Sequence, residues 1–321
     1  MKAISHQRYG PAGVLSLTDL PIPSPGEGEV LVRVHAAGVD TGVIHLMTGR
    51  PYLMRPATGL RAPRKQVRGT DVAGTVEAVG AGVTRFRPGE AVFGSCDAAF
   101  AEYAVAEAGK LAPMPGGVAF EAAAAVPTSG ATALTAVRGR VAAGQKALVI
   151  GAGGGVGGFA VQLAKAQGAH VTGVCGPGKA GPVRELGADH VVDYTREEVT
   201  GCYDLVVDTA GGRPLRSLRR LLTPGGALVI VGSEGGGPWL GGMHRQLQAA
   251  LLNPFTRQGL HAPFVFTTGA HLDELAGHLA SGQVRPLVSA TYPLEETPAA
   301  VAHVARGHTL GKVVITVGSA R

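Results

Sequence analysis

The stretch 146–168 restricts the fold of this chain more than any other part of the sequence. It opens with the compact apolar run 147–150, which is long enough for a buried parallel strand. The glycine-rich run 151–157 follows, and then a helical apolar pattern with Gly168 where a C-terminal cap would fall. Strand, glycine turn and helix form the first unit of a dinucleotide-binding fold. A pyrophosphate must approach backbone N–H groups at a helix N-terminus, and a Cβ at closest approach would block it.

The length of 321 residues suggests about two domains, and a hydrophobic content of 45% is enough for sizeable cores. No apolar run is long enough to cross a bilayer, and the N-terminus lacks the apolar core of a signal peptide, so we expect no membrane partner. The cysteines Cys96, Cys175 and Cys202 are odd in number and far apart, which gives no disulfide framework. This cysteine usage suits a reducing compartment, and we expect a cytoplasmic protein.

The net charge of +6 is compatible with nucleic acid or with a phosphate-rich cofactor. The sequence has no long run of lysine and arginine, and aromatic residues make up only 5% of it. Nucleic-acid-binding surfaces usually combine a basic stripe with aromatic residues. We therefore expect no nucleic acid partner and attribute the positive charge to a small anionic ligand.

The first part of the chain has the texture of a β-rich domain. Residues 1–36 indicate short β elements, and residues 37–68 are expected to be irregular and to carry many arginines. Further strands are predicted at 69–80, 87–94 and 100–106. Many short strands between proline and glycine turns are typical of a barrel-like domain.

The texture changes near residue 114. Helical patterns cover 120–126 and 131–140, with an interruption at 128–130, and strands then alternate with helices. The strands are predicted at 147–150, 170–175, 190–193, 204–208, 227–232 and 263–267. This alternation predicts a six-stranded doubly wound parallel sheet, hence an α/β fold. A helix is expected at 272–281, and the tail 284–321 returns to short strands that rejoin the first domain.

Several motifs occur in a specific order along the chain. They are Gly69-x-Asp71-x-Ala73-Gly74-x-Val76-x-x-Val79-Gly80, Pro127-Thr-Ser-Gly-Ala-Thr-Ala, the glycine motif, Leu186-Gly-Ala-Asp-His-Val-Val-Asp-Tyr194, Asp208-Thr-Ala-Gly-Gly, Leu222-Thr-Pro-Gly-Gly and Gly311-Lys312-Val313-Val314. With them the chain resembles the medium-chain dehydrogenase/reductase superfamily, specifically its zinc-independent quinone-oxidoreductase (zeta-crystallin-like) branch. The resemblance covers nearly the whole length.

The resemblance implies a GroES-like β-rich catalytic domain around a Rossmann domain, with the active site in the cleft between them. The expected boundaries are 1–121 for the first part of the catalytic domain, 122–268 for the NADP(H)-binding domain and 269–321 for the return to the catalytic domain. The resemblance also implies a homodimer.

The positions that bind zinc in zinc-dependent relatives hold other residues in this chain. Those relatives have a cysteine where this chain has Asp40, and His-Glu where it has Thr70-Asp71. A catalytic zinc needs three strong ligands, typically cysteine, histidine or carboxylate. Thr70 removes the imidazole and Asp40 removes the thiolate, the four-cysteine structural lobe is missing, and Cys96 is better interpreted as a small buried hydrophobe. We expect no metal.

The cofactor preference depends on the end of the second Rossmann strand. NAD-selective sites usually carry a carboxylate there, about 20 residues past the glycines, which binds the ribose 2′-OH. No carboxylate occurs between the glycine loop and Glu185, whereas Lys179 suits a 2′-phosphate. The sequence therefore favours NADPH (NADP+) over NADH. Tyr194 matches a tyrosine that lies by the adenosine phosphate in similar enzymes. The alternative makes Lys179 a surface residue and Tyr194 a core-edge residue.

The glycine motif, the strand ends and the resemblance together give a set of candidate cofactor-binding residues. The set is Thr128, Thr132, Gly151, Gly154, Gly155, Val156, Gly157, Cys175, Lys179, Tyr194, Gly232, Ser233 and Lys312. Thr128, Ser129 and Thr132 match the family's nicotinamide-contacting turn, and Lys312 matches a position that closes on the cofactor. For Ser129 and Ser233 the alternative is a turn residue that caps backbone groups.

Without a metal to polarise a carbonyl, the substrate must already be electrophilic, which fits quinones and α,β-unsaturated carbonyl compounds. Tyr52 matches a tyrosine near the substrate cleft in this branch, so it is a candidate proton donor or positioning group. The alternative is that its ring only packs. Asp40 is the second catalytic candidate, as acceptor of a hydrogen bond from the nicotinamide ribose or the substrate.

Two features leave the substrate open. Many relatives have Asn-Pro-x-Asp where this chain has Asp40-Thr41-Gly42-Val43, so the usual downstream aspartate is replaced by Val43. The arginine-rich loop 50–68 could attract an anionic substrate such as an acyl-CoA, or it could be a solvated loop.

The hypothesis is an NADPH-dependent quinone or enone reductase acting on a small molecule. One alternative is an enoyl-thioester (enoyl-CoA type) reductase. An alternative from another class is an NADPH-binding protein without turnover, redox-sensing or RNA-binding as some relatives are.

Overall fold

The computed structural model describes residues 1–232 and 237–318. Its strands are β1 (Lys2–Ser5), β2 (Ser16–Asp19), β3 (Glu29–Val39), β4 (Asp71–Val79), β5 (Ala91–Ser95), β6 (Tyr103–Glu107), β7 (Leu111–Pro113), β8 (Lys146–Ile150), β9 (His170–Cys175), β10 (His190–Asp193), β11 (Tyr203–Asp208), β12 (Leu222–Ile230), β13 (Gly259–His261), β14 (Val288–Pro293) and β15 (Lys312–Thr316).

Its α-helices are α1 (Thr41–Thr48), α2 (Arg55–Thr58), α3 (Phe120–Ala124), α4 (Pro127–Val137), α5 (Gly155–Ala166), α6 (Ala180–Glu185), α7 (Leu215–Arg220), α8 (Met243–Leu252), α9 (Gly269–Ala280) and α10 (Thr297–Ala305). Short 3-10 turns lie at Ala12–Val14, Tyr52–Met54, Ala108–Lys110, Asn253–Phe255 and Leu294–Glu296. In the described ranges, no helix is long and apolar enough to cross a bilayer.

The chain forms two compact units. Unit 1 contains Met1–Ala131 and Phe266–Arg321, and unit 2 contains Thr132–Val265. The sequence placed these boundaries at 121/122 and 268/269. The first boundary lies later because the first turn of α4 belongs to unit 1: the backbone N–H and the hydroxyl of Thr128 both donate to Asp71 of β4.

Unit 1 is β-rich, as predicted. Its main sheet has the order β14-β15-β3-β4-β5-β7, with β6 also paired to β3, and β1 and β2 form a separate antiparallel pair. β15 runs antiparallel to β3 with Val313 opposite Val39, and β3 pairs with β4 so that Gly38 lies opposite Asp71. This register brings Lys312, Asp40 and Asp71 to the same end of three neighbouring strands.

Two helices of unit 1 correct the expected pattern. Residues 37–68 were expected to be irregular, but α1 buries Val43 and Met47 on one face and ends at Gly49, which has φ +61°. Its threonine, valine and isoleucine residues have low helix propensity, so its sequence does not look helical. The tail was expected to return to short strands, but helix α10 follows β14 and precedes β15 in the sequence. It begins with the Thr297–Pro298 pair.

Unit 2 confirms the predicted six-stranded parallel sheet, with the order β10-β9-β8-β11-β12-β13 and every neighbouring pair parallel. This is the order of a dinucleotide-binding sheet, in which ligands bind beyond the carboxyl ends of the strands where the order reverses. In this sheet the reversal lies between β8 and β11. The core below it is made of apolar strand residues such as Leu148, Val206 and Leu228.

The sixth strand was placed at 263–267, which is wrong: β13 lies at Gly259–His261, and residues 262–268 have no regular structure. The aromatic run suggested a strand, but Phe264 and Phe266 are 71% and 81% exposed.

Three helix boundaries also differ from the prediction. The break that was expected at 128–130 lies at 125–126, because Pro127 starts α4 and residues 128–130 are inside it. Helix α9 begins at Gly269 rather than at residue 272, because Thr268 caps it by accepting a hydrogen bond from the His271 N–H.

Candidate functional site

The glycine loop of unit 2 connects β8 to α5, and two of its glycines are required by close packing. Gly151 has φ +85°, and a Cβ there would lie 2.3 Å from the Thr209 hydroxyl oxygen. A Cβ at Gly157 would lie 2.1 Å from the Gly151 carbonyl oxygen. Both distances are far shorter than any van der Waals contact, so only glycine fits at these positions.

The first turn of α5 offers backbone donors for a phosphate. Gly154 is the N-cap residue and supplies no side-chain cap. The N–H groups of Gly155, Val156 and Gly157 belong to the helix start, where N–H groups have no partner within the helix. Together with the helix dipole, these donors favour an anion, so the loop fits the pyrophosphate of a dinucleotide.

Two of the predicted cofactor residues follow neighbouring strands, Lys179 after β9 and Tyr194 after β10. A Cβ on Gly153 would meet the Cδ of Lys179 at 2.7 Å, so the Lys179 side chain lies against the glycine loop. The hydroxyl of Tyr194 lies against Gly176, 3.2 Å from where a Cβ would be. Partial burial lowers the pKa of Lys179.

Cys175, the last residue of β9, has a buried side chain and contributes only its backbone to this region. Its thiol is buried, burial raises its pKa, and its carbonyl accepts a hydrogen bond from the Tyr194 N–H at 3.2 Å. Any contact of Cys175 with a ligand would therefore involve its backbone.

The end of β12 closes the same edge of the sheet. The N–H of Gly232 donates to the Asp208 carbonyl at 3.1 Å, and a Cβ on Gly232 would lie 2.4 Å from the Thr209 carbonyl oxygen. Thr209 therefore contacts both Gly232 and Gly151. Thr132 is a half-buried residue of α4, and Ser233 lies outside the described residues.

Unit 1 contains a buried cluster of charged groups that we call the triad: Lys312, Asp40 and Asp71. Lys312 is 3% exposed, and Asp71 is fully buried. The ammonium of Lys312 donates to Asp40 Oδ1 in a short contact and lies 3.5 Å from Asp71 Oδ2. Ser129 Oγ donates to Asp40 Oδ1 at 3.3 Å, and Thr128 donates to Asp71 Oδ1 through N at 3.1 Å and Oγ1 at 2.5 Å.

The charges of the triad are set by one cation facing two acids. Burial alone would raise the pKa of Asp40, but Lys312 beside it holds that pKa below its usual value. Burial and the charge of Asp40 raise the pKa of Asp71 well above its usual value. Burial would lower the pKa of Lys312, but the two carboxyl groups raise it overall. Lys312 thus favours the charged form of Asp40, whereas burial and the neighbouring Asp40 favour the protonated form of Asp71.

The two carboxyl groups of the triad also interact with each other. In the described part of the chain, no conventional donor reaches Asp40 Oδ2, which is buried. Asp71 forms a side-chain hydrogen bond with Asp40, and Asp71 Oδ1 is already occupied by the donors of Thr128. A proton shared between the two carboxyl groups would supply the donor that Asp40 Oδ2 lacks among the described residues.

The residues of the triad do not fit a catalytic zinc. The Lys312 ammonium already binds both carboxyl groups and would repel a divalent cation. Across residues 1–232 and 237–318, no group of three or more His, Cys, Asp or Glu side chains is placed to hold a metal ion. Cys96 is a core residue whose pKa is raised to about 12 by burial, so it supplies no ready thiolate.

Sequence reasoning missed that Lys312, Asp40 and Asp71 form one cluster. Lys312 was expected to contact the cofactor, and Thr128 the nicotinamide. In the structure both donate to these carboxyl groups, and the cofactor contacts stay predictions. One signal was present: Lys312 opens the apolar run 313–315 of a buried strand, and a buried lysine requires a partner.

Tyr52 lies in an arginine-flanked turn of unit 1. The guanidinium carbons of Arg50 and Arg55 lie 5.8 and 4.5 Å from its ring centroid. Arg55 is held by a hydrogen bond from its Nε to the Gly49 carbonyl at 3.1 Å. These contacts fix the ring, and the catalytic role of Tyr52 stays a prediction.

The arginines of the loop 50–68 divide into two groups. Arg68 is buried and donates to His6 Nε2 at 2.7 Å, and Arg64 donates to the Ala57 carbonyl at 3.3 Å, so both support the local fold. Arg50 and Arg61 are exposed. The solvated-loop interpretation therefore fits Arg50 and Arg61, and attraction of an anionic substrate by this loop stays a prediction.

Comparison with known families matches both parts of the chain. Residues 26–135 match the alcohol dehydrogenase GroES-like domain, and residues 186–315 match the family described as zinc-binding dehydrogenase. The chain is 31% identical to the mitochondrial NAD(P)H oxidoreductase RTN4IP1 of Mus musculus, over 97% of this chain and 87% of that protein. It is 30% identical to the chloroplastic quinone-oxidoreductase QR1 of Triphysaria versicolor, over 98% of both chains.

Solved structures of related proteins are similar to this chain over nearly its whole length. The quinone oxidoreductase of Coxiella burnetii is 25% identical, with a TM-score of 0.86 over 99% of both chains. A mycobacterial protein solved in complex with NADPH is 28% identical, with a TM-score of 0.80 over 98% of this chain and 99% of that chain.

Proposed function

We propose that this chain, a member of the medium-chain dehydrogenase/reductase superfamily in its zinc-independent quinone-oxidoreductase branch, reduces a quinone or another α,β-unsaturated carbonyl compound with NADPH. It is an oxidoreductase with a nicotinamide cofactor and a small-molecule substrate. The observation that carries the proposal is the triad. A lysine ammonium lies on the carboxyl groups at the positions where zinc-dependent relatives hold metal ligands. A chain without that Lewis acid needs an acceptor that is already activated.

The cofactor preference is supported by the surroundings of the glycine loop. Lys179 lies against Gly153, and the described end of β9 carries no carboxylate side chain that could bind a ribose 2′-OH. A lysine ammonium beside the loop attracts the 2′-phosphate that distinguishes NADPH from NADH. Tyr194, beside Gly176, covers the same strand end.

Lys179→Met tests this preference. Loss of one charge-assisted hydrogen bond is expected to raise the Kd for NADPH about 10- to 100-fold and to leave the Kd for NADH nearly unchanged. Titration of cofactor fluorescence measures both constants. Lys146→Met is the matched control, since Lys146 lies at the opposite, amino end of β8. Equal weakening of NADPH and NADH binding would contradict the role.

Different residues are assigned to cofactor binding and to proton donation. Bound NADPH supplies the hydride. The open N–H groups at the start of α5 hold the pyrophosphate, and Gly232 and Gly151 keep the carboxyl edge of the sheet free of side chains.

We assign to Tyr52 the donation of a hydrogen bond or proton to the oxygen of the reduced product. An unchanged kcat in Tyr52→Phe would remove Tyr52 from the mechanism.

A screen of acceptors tests the reaction itself. Purified protein is mixed with NADPH and, separately, with a benzoquinone, a simple enone and crotonyl-CoA, and oxidation is followed at the nicotinamide absorbance band. Turnover of the quinone or enone in preference to crotonyl-CoA supports the proposal. Preference for crotonyl-CoA would make the chain an enoyl-thioester reductase. Tight NADPH binding without oxidation by any acceptor would make it a binding protein.

We also propose a homodimer formed through unit 2. β13 pairs only with β12 among the described strands, so its other edge is open. Large apolar side chains near it are exposed, including Leu251, Phe255 and Phe264. Such a patch beside an open strand edge favours pairing with a second copy.

Light scattering after size-exclusion chromatography tests the dimer. The wild-type chain is expected to elute at twice the chain mass, and Phe255→Lys combined with Phe264→Lys is expected to shift it to the monomer. Leu60→Lys, at an exposed leucine of unit 1, is the control and is expected to remain dimeric. A monomeric wild-type chain at micromolar concentration would refute the proposal.

The cytoplasmic location of this chain stays a prediction, which cell fractionation tests. The relatives from Mus musculus and Triphysaria versicolor are named as mitochondrial and chloroplastic.

A further inference from the structure

Unit 2 contains a cavity of about 590 Å³ that the proposed reaction does not use. Its walls come from the loop after β11, from α7 and from α8, and they include neither Lys179 nor Tyr194, the candidate residues for the 2′-phosphate. We call it the α7/α8 cavity. Its volume is large enough for a small organic ligand.

The lining of the α7/α8 cavity is strongly cationic. Arg213, Arg216, Arg219 and Arg245 line it together with His244, and the described lining contains no carboxylate. Arg219 is held in place by hydrogen bonds to Gln258 Oε1 at 3.0 Å and Thr256 Oγ1 at 3.2 Å. Neither Arg213 nor Arg216 forms an ion pair with a described residue. Neighbouring guanidinium groups that are not paired in this way repel one another, which costs stability unless an anion binds.

Arg245 gives an independent indication of a ligand. It is only 4% exposed, and one terminal nitrogen, Nη2, pairs with the fully buried Asp208. Its Nε and Nη1 are buried and have no hydrogen-bond partner in the described part of the chain. Buried guanidinium donors left unpaired are costly, whereas an oxyanion in the cavity would satisfy them.

We propose that the α7/α8 cavity binds a phosphate group, with the half-buried Arg213 and the exposed Arg216 as its outer ligands and the unpaired donors of Arg245 as its buried ones. Guanidinium groups match the several oxygens of a phosphate and bind it through charge-assisted hydrogen bonds. The residues assigned to the cofactor phosphates, the glycine loop and Lys179, are not part of this lining. The proposed site therefore serves a second phosphate, whichever acceptor takes the hydride.

Calorimetric titration of the cofactor-saturated protein with inorganic pyrophosphate tests the site. Saturation with NADP+ or NAD+, whichever binds more tightly, blocks the glycine loop. We expect saturable binding of pyrophosphate to the wild-type chain and a Kd at least about tenfold higher in the double variant Arg213→Gln/Arg216→Gln. Arg245 is left intact, because its removal would leave Asp208 buried without a counter-ion.

Arg220→Gln is the matched control, since Arg220 is an exposed residue of the same helix that does not line the cavity. Its Kd is expected to equal that of the wild-type chain. Absence of saturable binding, or an equal Kd in the double variant, would overturn the proposal even if the oxidoreductase activity is confirmed.

Coenzyme A as a second titrant distinguishes the sources of the phosphate. Binding tighter than that of pyrophosphate assigns the site to an organic phosphate ester. Equal or weaker binding, again lost in the double variant, assigns it to inorganic phosphates.

Discussion

Lys312→Met is expected to lower the free energy of unfolding by about 3–5 kcal/mol, because it leaves the Asp40 carboxylate buried without its cation. Without Lys312 the folded-state pKa of Asp40 rises above its unfolded value. Its contribution to stability is then fully present below the unfolded pKa and is lost as the pH rises through the folded pKa. The destabilisation should therefore grow from acidic to neutral pH, and urea unfolding at several pH values measures it.

The double variant Lys312→Met/Asp40→Asn separates loss of a charge pair from loss of packing. Removal of both charges is expected to recover more than half of the lost stability, since an amide has a far smaller desolvation cost than a carboxylate. Lys65→Met is the control, because Lys65 and Asp97 form an exposed pair that should contribute no more than about 1 kcal/mol. Equal losses of unfolding free energy in Lys312→Met and Lys65→Met would contradict the prediction that removal of Lys312 leaves an uncompensated buried charge.

Gly157→Ala is expected to weaken binding of the nicotinamide cofactor by about 100-fold or more. The new Cβ would lie 2.1 Å from the Gly151 carbonyl oxygen and 2.7 Å from its carbonyl carbon, so the loop has to move. Loss of two charge-assisted hydrogen bonds to the pyrophosphate, at about 1.5–3 kcal/mol each, corresponds to this factor. The Kd from fluorescence titration measures the effect.

Gly181→Ala is the matched control for this variant. Gly181 lies in α6, and a Cβ there would have no atom within 4 Å. Its cofactor Kd should not change, and its helix should become slightly more stable, because alanine has the higher helix propensity. A Gly157→Ala chain that is folded and binds cofactor as tightly as Gly181→Ala would exclude the loop as the pyrophosphate site.

The parts of the fold that were predictable carry local signals. Unit 2 repeats strand and helix with clear apolar periods, and the glycine loop marks its first crossover, so four of its strands lie within one residue of their expected positions. The fifth, β12, overlaps its expected range 227–232 but begins at Leu222. The sixth was misplaced because Phe264 and Phe266 look like strand residues although they face solvent. Helix α1 was missed because a short helix of β-branched residues is held by burial of Val43 and Met47 rather than by propensity.

The site was predictable to the extent that it depends on backbone. Glycine positions and the missing strand-end carboxylate can be read directly, and the structure places Lys179 beside the loop. The pairing of Lys312 with Asp40 could not be read, because 272 residues separate them in sequence. Only the sheet register brings them together, with β15 beside β3.

The position of Lys312 on β15 also sets the order in which the protein can mature on the ribosome. Unit 2 is one continuous segment, so it can fold as soon as it has emerged. Unit 1 cannot: Asp40 and Asp71 emerge early, but their cation arrives only with the last strand. Until then, closing the sheet around two acids without a counter-charge is unfavourable. We therefore expect unit 1 of chains that lack β15 to remain open to chaperones and proteases.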